Sequence, residues 1–318
     1  MIARLLRGVV WVIVPAVLMA CVGGPGQPPP PRLKIGLLPI LDTLPFYVAE
    51  KQGYYGAEGV AVELVSVKGA QERDALMQAG EIDGMLADLV AAGLLNREQV
   101  QVKVVAVAMR AGPDTAMFRI LSAPASPLRA AGDLAGVPIG ISQNTIIEYV
   151  TRRLLAAEGL SPDQVQPLEV SAIPVRFEQL MAGQIQAATL PEPLASGAIA
   201  AGAHLIVDDT RHPEYSQTVL VFSKVAAEQK PDAISRFLRA WSRAVADINS
   251  RPGDFADLLI EHGRVPESIR ETFPMPKFPD AAPPTEQEWQ DVVDWMVTAG
   301  LLDHDQRYMD TILTGLAR

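Results

Sequence analysis

The sequence predicts an α/β protein of two lobes with a cleft between them. Three observations carry this. Short apolar strand-like runs alternate with helix-like segments, the pattern of sheets buried on both faces. The chain repeats itself at one spacing. A proline- and glycine-rich stretch then sets the globular part apart from the N-terminus.

The repeat rests on three matches in order. Lys34-Ile35-Gly36-Leu37, followed by a segment with Tyr47-Val48, is like Pro138-Ile139-Gly140-Ile141, followed by one with Tyr149-Val150. Ala79-Gly80-Glu81-Ile82-Asp83-Gly84 matches Ala182-Gly183-Gln184-Ile185-Gln186-Ala187, and Val60 to Val65 has a counterpart near Val165 to Val170. The first two pairs are offset by 104 and 103 residues.

In the first lobe, strands are expected at 33–38, 60–67, 82–87 and 102–108, and helices at 44–54, 70–80 and 88–96. In the second, strands are expected at 137–141, 166–170, 187–190 and 204–207, and helices at 145–158, 174–182 and 193–201. Thr145 and Glu148 have the spacing of a capping box, as do Thr285 and Glu288. Thr218 to Phe222 reads as one more strand. Ile234, Phe237, Leu238, Trp241, Val245 and Ile248 recur at helical spacing behind Pro231, an apolar stripe that belongs to a core. Gly263 and Gly300 stand where helices would stop. Two crossings must join the lobes, an outbound one at Met117 to Leu121 and a return near Ser216 to Phe222. The first lobe is therefore expected at 33–121 plus 217–318 and the second at 122–216.

The N-terminus reads as a targeting segment, residues 1–20. Arg4 and Arg7 precede an apolar run, Val9 to Val17, that is too short to span a bilayer, which takes about 20 residues. Leu18-Met19-Ala20-Cys21 resembles the lipobox of bacterial lipoproteins, which implies a lipid on the Cys21 sulfur. Residues 21–32, with Pro28 to Pro31, then form a tether of extended polyproline type. Cys21 is the only cysteine, so neither an intramolecular disulfide nor a cysteine-based zinc site is open to the chain. Formal charge is −10, and −12 once residues 1–20 with their two arginines are gone. Such a surface repels phosphate backbones, which argues against nucleic acid as a partner.

Leu33 to Pro39, then Leu44 to Tyr55, resemble the start of solute-binding proteins of the nitrate/sulfonate/taurine and thiamine-precursor group. Leu180 to Pro193 resembles a later stretch of the same group. The resemblance implies the type II periplasmic binding protein fold, with a ligand cleft between lobes joined by a two-strand hinge. It implies closure on a small molecule and its delivery to the permease and ATPase of an ABC importer; with the lipobox, a monomer anchored outside the cytoplasm by lipid is expected. No cofactor or metal is implied, and no catalytic residue.

Ligands of α/β lobes sit beyond the carboxyl ends of the strands. That selects Asp42, Leu44 and Phe46 in the loop 39–46, Asp88, the turn with Ser142, Asn144 and Thr145, and Glu192; Gln217 joins them on the return crossing. The resemblance points to the same loops. Asp42 and Asp88 each have a second reading as helix N-caps, and Thr145 reads more readily as a cap. Glu192, held between Pro191 and Pro193, reads as a ligand contact. Arg176 either faces the cleft or is solvated. Phe46, Tyr47 and Tyr149 offer a stacking face or core packing. Three acids converging on one cleft favour a neutral or cationic ligand with N–H donors, such as an aminopyrimidine or another nitrogen heterocycle. Sulfonate, nitrate and riboflavin are the alternatives. The four histidines show no metal-ligand spacing, and no Walker loop, dinucleotide fingerprint or G-x-S-x-G appears. An exported enzyme and a sensory or adhesive lipoprotein are the competing function classes.

Overall fold

The computed structural model describes residues 29–316. The targeting segment, Cys21 and the tether as far as Pro28 lie outside the described residues.

The chain opens with β1 (Arg32–Leu37), a 3-10 turn at Leu41–Thr43 and α1 (Leu44–Lys51). Then come α2 (Tyr54–Ala57), β2 (Ala61–Ser66), α3 (Ala70–Gln78), β3 (Gly84–Ala87), α4 (Leu89–Leu95) and β4 (Val102–Arg110). Across the first crossing lie β5 (Phe118–Ser122), β6 (Pro138–Ile141), α5 (Ile146–Ala157) and β7 (Gln166–Glu169). They are followed by α6 (Ile173–Met181), β8 (Ala187–Pro191), α7 (Leu194–Ala200) and β9 (His204–Asp208). The chain returns as β10 (Gln217–Ser223) and ends in α8 (Lys224–Gln229), α9 (Pro231–Ser250), α10 (Ala256–Gly263), α11 (Glu286–Thr298) and α12 (Tyr308–Thr311).

Two five-stranded sheets result, in the orders β2-β1-β3-β10-β4 and β7-β6-β8-β5-β9. They share one plan. The first three strands of each sheet are parallel, and the strand that arrives by a crossing takes the fourth place, antiparallel to the third. Even the register repeats: Ile35 and Gly36 face Gly84 and Met85, and Ile139 and Gly140 face Ala187 and Ala188. The shared glycine has a steric cause. A Cβ on Gly36 would stand 2.8 Å from Ile82 Cδ1, and one on Gly140 would stand 2.7 Å from Ile185 Cδ1. Those isoleucines are the ones matched by the repeat.

The outbound crossing differs from expectation. Residues 118–121 do not link the lobes; they form β5, inside the second sheet between β8 and β9. Phe118, Ile120 and Leu121 are buried, as an internal strand requires. The link is therefore the shorter stretch 111–117. The return expected near Ser216 to Phe222 moves likewise: Gln217–Ser223 is β10, inside the first sheet, so the return is 209–216.

The apolar stripe of α9 packs under the first sheet. Phe46 of α1 meets Trp241 edge-on at 4.7 Å between centroids, and Phe222 of β10 meets Phe237 at 5.6 Å. Each such pair adds about 0.5–1.5 kcal/mol beyond area burial. Thr285 and Glu288 form the expected reciprocal capping box. Thr145 caps α5 through the Ile147 N–H, whereas Glu148 reaches back to the Asn144 N–H instead. Gly300 takes the left-handed turn after α11, but after α10 that conformation falls on Arg264, one residue beyond Gly263.

Candidate functional site

The carboxyl ends of the parallel strands carry the polar side chains of interest. In the first lobe, the 3-10 turn after β1 turns Asp42 inward, 3 % exposed. It does not cap α1: the N-cap is Thr43, and it makes no side-chain cap. Neither Asp42 Oδ2 nor the Thr218 hydroxyl makes a hydrogen bond of good geometry, although the hydroxyl stands close enough to favour the carboxylate. Burial pushes the Asp42 pKa up to about 6, against the pull of Thr218 and of the Arg73 charge. Asp88 does cap α4, accepting the Ala91 N–H at 2.8 Å, and burial raises its pKa while Arg73 opposes the rise. Leu44 and Phe46 are wholly enclosed in the core, so the ligand contact expected of both gives way to packing. The first turn of α1 is apolar and buried on all sides, Leu44, Pro45 and Phe46 alike, and Phe46 meets Trp241 of α9.

In the second lobe, Ser142 donates to the Ser171 carbonyl at 3.0 Å and accepts from Arg176 Nη1 at 2.9 Å. Thr145 is engaged as the α5 cap. Asn144 is exposed in a left-handed conformation, φ 58°, with its side chain at the surface. Arg176 has no exposed surface. Burial lowers its pKa to about 10, so it stays charged at neutral pH.

Glu192 lies where β8 ends, but its carboxylate is already engaged. It pairs with Arg119 of β5 and accepts from the backbone N–H and hydroxyl of Ser196. Arg119 also reaches Asp208 at 3.2 Å. A free acid was expected here; the partner that neutralises it stands 73 residues earlier and meets it only through the antiparallel β5–β8 pair. Gln217 is buried, with its Oε1 3.4 Å from Arg110, which also pairs with Glu288 at 2.7 Å. Of the three acids expected to converge, Glu192 has both oxygens engaged, Asp88 spends Oδ1 on its cap, and Asp42 keeps a buried oxygen without a partner.

The lobes touch on two sides. Tyr149 and Arg153 of α5 both bond Asp291 of α11, the hydroxyl at 2.6 Å and the guanidinium at 2.9 Å. On α7, Gly197 lies so close to Pro266 that a Cβ would stand 2.9 Å from its ring. Between α4, α5, α11 and β10 a small, partly open pocket is lined by Leu89, Val90, Tyr149, Tyr215 and Gln217, among others. Tyr149 thus faces the gap, while Tyr47 stacks on His262 at 3.5 Å. Among the described residues no group of three or more His, Cys, Asp or Glu is placed to hold a metal ion, and no helix is long and apolar enough to cross a membrane.

Residues 41–254 match the family model described as NMT1/THI5 like. Among curated proteins none matches by sequence. Solved structures do match. The alkanesulfonate-binding protein SsuA from Xanthomonas axonopodis pv. citri, bound to MOPS, aligns at 18 % identity and a TM-score of 0.75, covering 90 % of this chain and 99 % of that one. The ligand-binding component of an ABC-type import system from Staphylococcus aureus, with zinc bound, aligns at 17 % identity and a TM-score of 0.76, covering 90 % and 98 %. The desulfurization enzyme DSZB aligns at 16 % and 0.68, covering 90 % and 97 %. At these identities the likeness is one of fold, the two-lobed fold of periplasmic binding proteins.

Proposed function

The chain belongs to the NMT1/THI5-like family, and from that premise we propose that it is an extracytoplasmic solute-binding protein. It captures a small organic molecule between its lobes and delivers it to the permease and ATPase of an ABC importer. The observation that carries this reading is the pair of crossings, 111–117 and 209–216. Two matched sheets joined by two short segments can close over a solute and release it without a chemical step. Two of the similar structures are themselves binding components, one of them for alkanesulfonates.

The enzyme reading draws on the likeness to DSZB. Against it, the one cysteine, Cys21, lies ahead of the strand and helix pattern, and among the described residues no serine or threonine is hydrogen-bonded to a histidine. The same proposal places a lipid on Cys21, holding the monomer at the outer face of a membrane through the proline tether.

Native mass spectrometry of the protein as purified identifies a retained solute, and small-angle scattering follows closure. A bound solute should raise thermal stability by mass action and shrink the radius of gyration. A protein that neither retains nor responds to any small molecule would sink the proposal. Cys21→Ala should move the protein from the membrane to the soluble fraction; a variant that stays membrane-bound removes the anchor.

A further inference from the structure

We propose that Arg176 takes the anionic group of the ligand, a carboxylate, sulfonate or similar oxyanion, in the second lobe; this rests on the solute-binding reading above. The argument starts from the repeat. Arg73 of α3 and Arg176 of α6 are 103 residues apart, one of the two offsets found in the repeat. Each stem passes the shared glycine, Gly36 or Gly140. Each Nη1 donates to a backbone carbonyl, Leu86 at 3.2 Å or Val170 at 2.7 Å. Both side chains are buried.

They differ in their counter-charge. Arg73 is followed by Asp74, whose Oδ1 accepts from Nε at 2.8 Å. Arg176 is followed by Phe177, and neither its Nε nor its Nη2 has a partner. A buried cation without a counter-ion is costly. Glu169 is the acid whose charge it feels, yet the two form no ion pair: Glu169 accepts from the Gln143 N–H at 2.7 Å and from the Ser171 hydroxyl at the surface.

The two open atoms also have a geometry. Nε and Nη2 form one edge of the guanidinium, with two roughly parallel N–H directions, which fits two oxygens of one oxyanion. The third nitrogen is held by Ser142, at the head of the turn into α5, a twelve-residue helix whose N-terminal dipole adds favourable potential for an anion. The ligand would supply in the second lobe the negative charge that Asp74 supplies in the first. Because Arg176 has no exposed surface, the anion reaches Nε and Nη2 only when the groups packed against them move aside.

The test is a panel by calorimetry on the purified protein: ethanesulfonate, butanoate, nitrate, a hydroxymethyl-aminopyrimidine and riboflavin. At least one of the three anions should bind, and the Nε–Hε resonance of Arg176 should shift as it does. Arg176→Gln should weaken that binding about 10- to 100-fold, the range for hydrogen bonds to charged groups. Arg176→Lys should fall between, because it keeps the charge and loses the fork. The resonance is read in the unaltered protein, so a variant that folds poorly leaves the test intact. Binding of the pyrimidine or riboflavin with no anion binding would overturn the inference and leave the solute-binding reading standing. An anion that binds with the Arg176 resonance unmoved would overturn it too. No binding of any probe, with no solute retained on purification, would overturn both.

Discussion

Asp209, on the return from the second sheet, holds Phe118, the first residue of β5 on the way in. Its Oδ2 accepts the Phe118 N–H at 2.9 Å, and its Oδ1 accepts the Met117 N–H at 3.0 Å. One buried carboxylate thus ties the two crossings together where the lobes must hinge.

Asp209→Ala leaves two buried N–H groups without an acceptor. Each costs about 1–3 kcal/mol, so the variant should lose roughly 2–6 kcal/mol of unfolding free energy. Asp209→Asn keeps one acceptor and nearly the same shape and should lose less. Urea denaturation at pH 7.5 measures both. An alanine variant as stable as the parent would show that the tie contributes nothing.

The pH dependence follows from Asp42 and Asp209. Burial lifts both from 3.8 to about 6, so the folded state holds their protons more tightly than the unfolded state does. Their contribution is therefore most favourable below pH 4, declines as pH rises to about 6, and is flat above. Asp42→Asn removes the buried charge. It should be more stable than the parent at pH 7.5 by up to ~3 kcal/mol, with the advantage vanishing towards pH 4. A difference that does not change between pH 4 and pH 7.5 would contradict the burial of the charge.

Asp291 joins the lobes from the other side, through Tyr149 and Arg153. Arg153 and Asp291 remain partly exposed, at 28 % and 37 % of their side-chain surface, so their pairing adds at most about 1 kcal/mol to folding. Its effect should fall on the opening of the lobes instead. Asp291→Ala should enlarge the radius of gyration without ligand and weaken solute binding, while the unfolding midpoint stays close to the parent's. An unchanged radius would show that the contact is passive.

Most of the fold was legible because strands buried on both faces leave apolar runs, and nine of the ten strands lie within about two residues of where they are expected. The same signal misplaced the outbound crossing. Phe118 to Leu121 has the apolar residues of a strand around Arg119, yet its place between two lobes made it read as a link. The site was less legible because its partners meet by topology. Nothing near Glu192 in sequence announces Arg119, while the cap by Asp88 was one of the two readings its position allowed. Arg176 is a different case. Laying Arg73-Asp74 over Arg176-Phe177 in the repeat would have marked the lost acid from sequence alone.

Glu192 gives the last prediction. Its carboxylate is bound by Arg119 and Ser196, and only 3 % of its side chain is exposed, so a solute would have to displace an internal ion pair to use it. Glu192→Ala breaks that pair and leaves Arg119 with Asp208 alone, which should cost on the order of 3 kcal/mol, since removing one partner strands the other's charge. Glu192→Gln keeps the size and one acceptor oxygen and should cost less. Whatever solute the protein retains should bind Glu192→Gln within about threefold of the parent, a difference under 1 kcal/mol. Calorimetry and urea denaturation on the same preparation separate the two effects. A glutamine variant that is fully stable yet loses the solute would make Glu192 a direct ligand contact, with the Arg119 pair a resting state that the solute replaces.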